Sequence, residues 1–267
     1  MIRVMTQSLS APTFGSDEPD PANSLAGRIA WFGKATLDQI GQGVCVTDTR
    51  LDLPGPVIEY VNDAYLDIFC CTRDDVIGRD PRFGQGPLTD RNALARIREH
   101  LVTERTLRVK AINYRIDRTP FRLRWSIDPL RDHGDLVGFV ALLSDVTFED
   151  RVRRRLTALD TLTSRGRQAI GAPRGERRQA LAHALAEALT PLLDEIGDAT
   201  VTCGGEPVHT QSVCAAADRN PDEVFTVDDD LTVSLSIHPD GVPLIDRVAV
   251  DELSDHASWL QGLAGRA

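Results

Sequence analysis

Lysine is nearly absent from this chain. Lys34 and Lys110 are the only two among 30 basic residues, and the rest are arginines. The 40 acidic residues give a net charge of −10, which argues against a broad nucleic-acid-binding surface. The chain also lacks an apolar run of the roughly 20 residues that a membrane-spanning helix needs, and its N-terminus has no hydrophobic signal segment. We therefore expect neither a nucleic-acid partner nor a membrane span.

Cysteine is scarce too, and its pattern excludes several kinds of site. The five cysteines are odd in number and form no CxxC pair, which favours a reduced, cytoplasmic protein. The neighbours Cys70 and Cys71 are interpreted as packing residues, because adjacent cysteines rarely reach disulfide geometry without strain. Cys203, His209 and Cys214 fit no common zinc spacing, so we predict no metal site.

Composition and breakers divide the chain into four parts. Residues 1–23 are rich in Ser, Pro, Asp and Gly and are predicted to be a disordered leader. Residues 24–147 are predicted to form a first α+β domain that begins with one amphipathic helix, or two short ones, over 24–40. A linker helix is predicted within 148–175, and residues 176–267 form a small second α+β domain.

The first domain has the element order of an α+β sensor domain. Strands are predicted at 43–48, 57–61, 106–114, 121–128 and 136–144, with a short helix at 62–69. Thr72 and Asp75 form a candidate capping box. Thr89 is the expected N-cap of a longer helix, whose apolar face carries Leu94 and Leu101.

The second half alternates helices and strands. Helices are predicted at 148–170, 176–196 and 248–263, and strands at 199–203, 223–227 and 231–237. Val152, Leu156, Leu159 and Leu162 form an apolar stripe on the first of these helices. The stripe fits either a coiled-coil linker between two copies or a cap folded onto the preceding sheet, since it is too short to decide.

One segment resembles a known family. Residues 78–90 read Gly-Arg-Asp-Pro-Arg-Phe-Gly-Gln-Gly-Pro-Leu-Thr-Asp, which resembles the flavin loop of LOV (light-oxygen-voltage) domains, usually Gly-Arg-Asn-Cys-Arg-Phe-Leu-Gln-Gly-Pro-x-Thr-Asp. Asn113-Tyr114 and residues 129–132 match two further landmarks. The resemblance, which covers about 40–147, implies a PAS fold: a five-stranded antiparallel sheet with helices on one face and FMN between them.

The resemblance also implies residue roles. Arg82 and Arg98 stand where the family binds the FMN phosphate, and guanidinium groups suit phosphate oxygens. Gln85 matches a glutamine beside the ribityl chain. Asn113 matches the first of two asparagines at the polar edge of the flavin ring.

The departures fall mainly at the flavin ring. Asp80 replaces an asparagine, and Pro81 replaces the cysteine that bonds to the flavin in light. Leu123 replaces the second ring asparagine, and Leu143 replaces the glutamine that relays the signal. The usual cysteine adduct therefore cannot form at position 81.

Two residues of the first strand complete the expected cofactor-binding set. These are Thr47 and Cys45, and Cys45 stands where the family usually has valine near the reactive part of the ring. Its thiol could substitute for the missing cysteine. The alternative is a small buried residue that packs as a hydrophobe.

These features predict a sensory signal-transduction protein that binds FMN or a related ligand and signals through the following helix. The alternatives are a cofactor-free PAS interaction module and a site for another metabolite that carries phosphate or carboxylate. His183 and Thr190-Pro-Leu192 resemble a histidine-kinase phospho-acceptor box, but at the wrong spacing, so no enzyme is predicted. Residues 176–264 resemble a shortened GAF domain, interpreted as a dimerisation or interaction unit. The expected partners are a second copy and an unidentified signalling protein.

Overall fold

The computed structural model of the protein describes residues 34–193, 196–209, 223–226 and 231–266. The predicted leader at 1–23 and most of the helix predicted at 24–40 lie outside these residues. The described part of that helix is α1 (Lys34–Asp38). None of the helices in the described part of the chain is long and apolar enough to cross a membrane.

A five-stranded sheet organises the first half. Its strands are β1 (Gly43–Thr47), β2 (Ile58–Val61), β3 (Leu107–Tyr114), β4 (Pro120–Asp132) and β5 (Asp135–Asp145). They lie in the order β2-β1-β5-β4-β3, and all neighbours are antiparallel. The predicted PAS architecture is therefore confirmed.

The hairpin between β4 and β5 is tighter than predicted. His133 and Gly134 both have positive φ, at 49° and 102°, which is the backbone of a two-residue hairpin turn whose twist suits the flanking strands. The ladder therefore runs to Asp132 and Asp135, and both strands extend beyond their predicted ends.

Helices cover one face of this sheet. They are α2 (Asp63–Phe69), α3 (Arg73–Val76), a 3₁₀ turn (Pro81–Gly84) and α4 (Arg91–Val102). The capping box of Thr72 and Asp75 is confirmed at α3.

The predicted cap of α4 was wrong. Asp90 caps this helix by accepting from Asn92 N at 2.8 Å. Thr89 instead donates to Ile112 O at 2.8 Å and accepts from Gly86 N at 3.0 Å. Its hydroxyl is therefore engaged in fastening the preceding loop to the sheet.

Strands β3 and β4 alternate between two faces. Toward the helices they present buried apolar residues, among them Val109, Ala111, Leu123 and Trp125. The intervening residues, such as Lys110, Ile112, Tyr114 and Arg122, therefore lie on the opposite face. This opposite face packs against the second half of the chain, because Ile112 and Tyr114 belong to the apolar cluster that forms the core of that half.

The described residues of the second half form three helices and a smaller antiparallel sheet. The elements are α5 (Thr147–Gly171), α6 (Arg177–Leu193), β6 (Gly197–Cys203), β7 (Glu206–His209), β8 (Glu223–Thr226), β9 (Leu231–Ile237), a 3₁₀ segment (Pro239–Leu244) and α7 (Arg247–Arg266). Its strand order is β7-β6-β9-β8. Strand β7 was not predicted, although Gly204-Gly205, both at positive φ, form the two-residue turn before it.

The apolar stripe predicted on α5 divides into two parts. Leu162 is fully buried, and Gly166 lies so close to Leu260 of α7 that a Cβ would fall 2.4 Å from its side chain. Leu156, by contrast, is 63% exposed, and Val152 and Phe148 are exposed as well. The C-terminal part of the stripe therefore packs within the chain, while its first two turns face outward.

Candidate functional site: a cavity between sheet and helices

A cavity of about 430 Å³ lies between the sheet of the first unit and its covering helices. This volume falls within the range of roughly 300–1,000 Å³ that is usual for small-molecule sites. All seven residues predicted for cofactor binding contribute to its wall: Cys45, Thr47, Asp80, Arg82, Gln85, Arg98 and Asn113. Residues from distant parts of the sequence thus surround one space.

The 3₁₀ turn positions Arg82 at one end of this cavity. Asp80 caps the turn by accepting from Arg82 N at 2.8 Å, and its carboxylate also pairs with the Arg82 guanidinium. That guanidinium donates to Gly55 O at 2.6 Å and to Leu51 O at 3.1 Å. Asp80 therefore holds Arg82 by both its backbone and its side chain.

Helix α4 brings Arg98 to the same end. Arg98 Nη1 donates to Leu51 O at 3.3 Å, and Nη2 pairs with Asp52 Oδ1 at 2.8 Å. Both guanidinium groups therefore meet at the carbonyl oxygen of Leu51, and each is paired with a carboxylate, Arg82 with Asp80 and Arg98 with Asp52. The part played by the 51–55 loop was missed from the sequence.

Asn113 of β3 supplies a polar group whose amide is not satisfied. The residue is 7% exposed, and its Nδ2 atom is buried without a hydrogen-bond partner. A buried donor of this kind costs about 1–3 kcal/mol when it stays unpaired. Gly84 leaves room beside the amide, because a Cβ there would lie 3.3 Å from Asn113 Oδ1 and 3.1 Å from the Phe69 ring. An acceptor on a ligand would satisfy this amide.

The rest of the wall is largely apolar. Pro81, Leu123 and Leu143 all line the cavity, and both leucines are buried. Four aromatic residues in the wall were not predicted as site residues: Tyr65, Phe69, Trp125 and Phe139. Trp125 could have been predicted, because it lies two residues after Leu123 on the same strand and so points to the same face.

Cys45 lies on β1 in this wall and is buried. Burial raises the pKa of its thiol to about 12, because the thiolate is poorly solvated in apolar surroundings. The group is therefore a neutral thiol at physiological pH.

The other cysteines that the structure describes lie outside the wall of this cavity. Cys70 caps α2 at φ 52° and is exposed, while Cys71 is partly buried against the core, both as free thiols. Cys203 is buried at the end of β6, and Cys214 lies outside the described residues. Within the described ranges, no group of three His, Cys, Asp or Glu side chains could hold a metal ion.

Comparison with known proteins gives these features a context. Residues 42–148 match a family model described as "PAS domain". The chain is 28% identical over 161 residues to Protein TWIN LOV 1 of Arabidopsis thaliana, covering 60% of this chain and 40% of that protein. It is 33% identical over 114 residues to the Blue-light photoreceptor of Listeria innocua (43% and 44%). It is also 33% identical over 113 residues to Blue-light-activated histidine kinase 1 of Erythrobacter litoralis (42% and 31%). The chain thus spans less than half the length of each of these relatives.

Proposed function

We propose, on the premise that residues 42–148 are a PAS domain of the LOV type, that this chain is a sensory signalling protein whose cavity binds FMN or a closely related ligand. The observation that carries the proposal is the unpaired amide of Asn113, buried in the wall of the same cavity that Arg82 and Arg98 border. The Asn113 amide suits a ring carbonyl oxygen, and the two guanidinium groups suit a phosphate. FMN carries both the ring and the phosphate.

The chain's own residues define how FMN would be held. Arg82 and Arg98 would bind the phosphate by charge-assisted hydrogen bonds, in exchange for their contacts to the 51–55 loop. Asn113 Nδ2 would donate to the polar edge of the ring. Leu123 and Leu143 would exclude water from the rest of the ring edge but would form no hydrogen bond with it. When bound, FMN would supply a ring that absorbs blue light and accepts electrons.

The ring environment supports a sensor that works without the cysteine adduct. Pro81 presents no thiol to the cavity. Cys45 does present one, and its raised pKa, to about 12, keeps it protonated. We propose that Cys45 acts as a packing residue. The expected result is that illumination produces no cysteine-adduct absorbance, and that Cys45→Ala and wild type give the same spectra in light.

We further propose that the output is a protein contact and not catalysis. The likeness to the histidine kinase covers 31% of that protein. Helix α5 follows the sheet directly and carries the exposed residues Phe148, Val152 and Leu156. This surface suits an apolar partner, and we propose a second copy of the chain as that partner.

Titration of the purified chain with FMN and with riboflavin, followed by flavin fluorescence, tests the proposal. Arg98→Ala should weaken FMN by about 10- to 100-fold and leave riboflavin unchanged, because a hydrogen bond to a charged group contributes about 1.5–3 kcal/mol. Asn113→Ala should weaken both flavins. Arg108→Ala is the matched control, since Arg108 is an exposed residue of β3 outside the cavity.

Two outcomes would favour the alternatives. A chain that takes up neither flavin would support the cofactor-free module. Binding of inorganic phosphate that depends on Arg98, without flavin uptake, would support another phosphate-bearing metabolite.

A further inference from the structure

A buried carboxylate joins α5 to the sheet. Asp150, in the first turns of α5, is 2% exposed. Two of its partners come from strands: Lys110 Nζ of β3 lies 2.7 Å from Oδ1, and Arg122 Nε of β4 lies 3.3 Å from Oδ2. Two more come from α5 itself, where Arg154 Nε lies 2.7 Å from Oδ2 and Arg153 pairs with Oδ1. One carboxylate is thus shared by four cations.

The inner part of this cluster, Asp150 with Arg122 and Arg154, is desolvated, whereas Lys110 is 34% and Arg153 64% exposed. Arg122 is 4% exposed, and Arg154 is largely buried and also donates to Pro191 O of α6 at 2.8 Å. Charges lose their hydration when they are buried, so removal of one partner from such a cluster destabilises much more than loss of an exposed pair. Asp150 therefore stabilises the docked position of α5 on the sheet.

Arg122 connects this cluster to the cavity wall. Its carbonyl oxygen accepts from Val146 N at 2.8 Å, and its own N donates to Thr147 Oγ1 at 2.9 Å. One residue of β4 thus binds the start of α5 through its side chain and both backbone groups. The next residue, Leu123, lines the cavity on the opposite face of the strand.

We propose that Asp150, Lys110 and Arg122 form an electrostatic latch through which occupancy of the cavity reaches α5. A ligand seated against Leu123 displaces β4, and Arg122 moves with it. The attraction between buried charges depends steeply on their separation, so a small displacement changes how firmly α5 is held. The identity of the ligand rests on the proposed function, whereas the latch itself rests on the contacts described here.

The first test uses the full chain without ligand. Hydrogen exchange of peptide 147–156 should be at least about tenfold faster in Asp150→Asn than in wild type, because the docked helix opens more often. The sheet peptides should keep their protection. Glu149→Gln is the matched control on the same turn, since Glu149 is exposed and lies 3.9 Å from its partner Arg124; it should leave exchange unchanged. Equal exchange in all three chains would overturn the latch.

A double variant guards against misfolding of the single one. Arg122→Met removes the charge that β4 contributes. The double variant Asp150→Asn/Arg122→Met removes both charges of the Asp150–Arg122 pair, so neither is left buried without the other. If the latch exists, the double variant should exchange no faster than the faster single variant. Additive effects would refute direct coupling between the two residues.

The second test adds saturating FMN. In wild type, FMN should change the exchange of peptide 147–156 by at least about threefold, an effect of the size that allosteric coupling commonly has. In Asp150→Asn, FMN should bind equally well and leave this peptide unchanged. An equal FMN response in both chains would overturn the coupling role of Asp150. A chain without FMN uptake would refute the proposed function, and the latch would then be decided by the first test.

Discussion

Restoring a polar group at Leu123 should have two opposite effects. Leu123→Asn puts an amide into the cavity wall at the position where LOV domains have their second ring asparagine. We expect the free chain to become less stable, because an apolar side chain that is 2% exposed is lost from the core. We expect flavin affinity to rise, because the new amide finds its partner on the ring.

The structure sets the size of each effect. Loss of the buried leucine costs about 2–3 kcal/mol, and the unpaired amide adds about 1–3 kcal/mol. The free energy of unfolding should therefore fall by roughly 3–6 kcal/mol, which most domains survive. Pairing the amide with the ring recovers about 1–3 kcal/mol, so affinity should rise about 5- to 150-fold. FMN and riboflavin should gain equally, since both contain the ring.

Urea unfolding of the free chain and fluorescence titration with each flavin measure the two effects. Leu107→Asn is the matched control, because Leu107 is a buried residue of β3 in the same apolar cluster but outside the cavity wall. It should lose comparable stability and leave flavin affinity unchanged. The reasoning is refuted if Leu123→Asn fails to raise affinity, or if both variants change it equally.

Three further predictions concern the packing of the chain. Burial raises the pKa of Cys45 from 9.0 to about 12, so the thiol ionises in the unfolded chain at a lower pH than in the folded chain. The contribution of this thiol to stability is therefore complete below pH 9.0 and is lost as the pH rises toward 12. Cys45→Val should flatten the alkaline fall in the free energy of unfolding, and an unchanged slope would contradict this. Gly86→Ala should lower the free energy of unfolding by at least about 2 kcal/mol, because its Cβ would lie 2.2 Å from the Tyr114 ring. Gly171→Ala is the control, since no atom lies within 4 Å of its Cβ, and it should change stability by less than about 0.5 kcal/mol in urea unfolding. Leu162→Ala should cost about 2–5 kcal/mol, while Leu156→Ala should be nearly neutral for the monomer; equal costs would place both side chains in the core.

Much of the fold could be predicted because its signals are local. The alternation along β6 and β9 predicts strands whose residues point to opposite faces, and the structure shows that pattern in both. The capping box of Thr72 and Asp75 involves residues only three apart and was confirmed. The 78–90 segment carried the LOV resemblance because its residues lie in one continuous stretch.

The features that were missed depend on contacts between distant residues. Arg98 and Asp52 are separated by 46 positions and meet only after α4 packs over the sheet. Thr89 has the side chain of a good N-cap, but the carbonyl of Ile112 competes for its hydroxyl. Asp150 looks from the sequence like a surface residue of an arginine-rich helix, and its burial becomes evident only once β3 and β4 lie against that helix.

The apolar stripe on α5 was interpreted either as a coiled-coil linker between two copies or as a cap folded onto the preceding sheet. Both stay predictions: Leu162 packs inside the chain in the apolar cluster of its second half, while Phe148 and Leu156 face outward. The exposed part spans eight residue steps, or about 12 Å of helix. A coiled coil is usually sustained over three or four heptads, so this length cannot hold two copies together by itself. If two copies associate through α5, the interface must therefore bury additional surface, and the latch at Asp150 would control how much of that surface is presented.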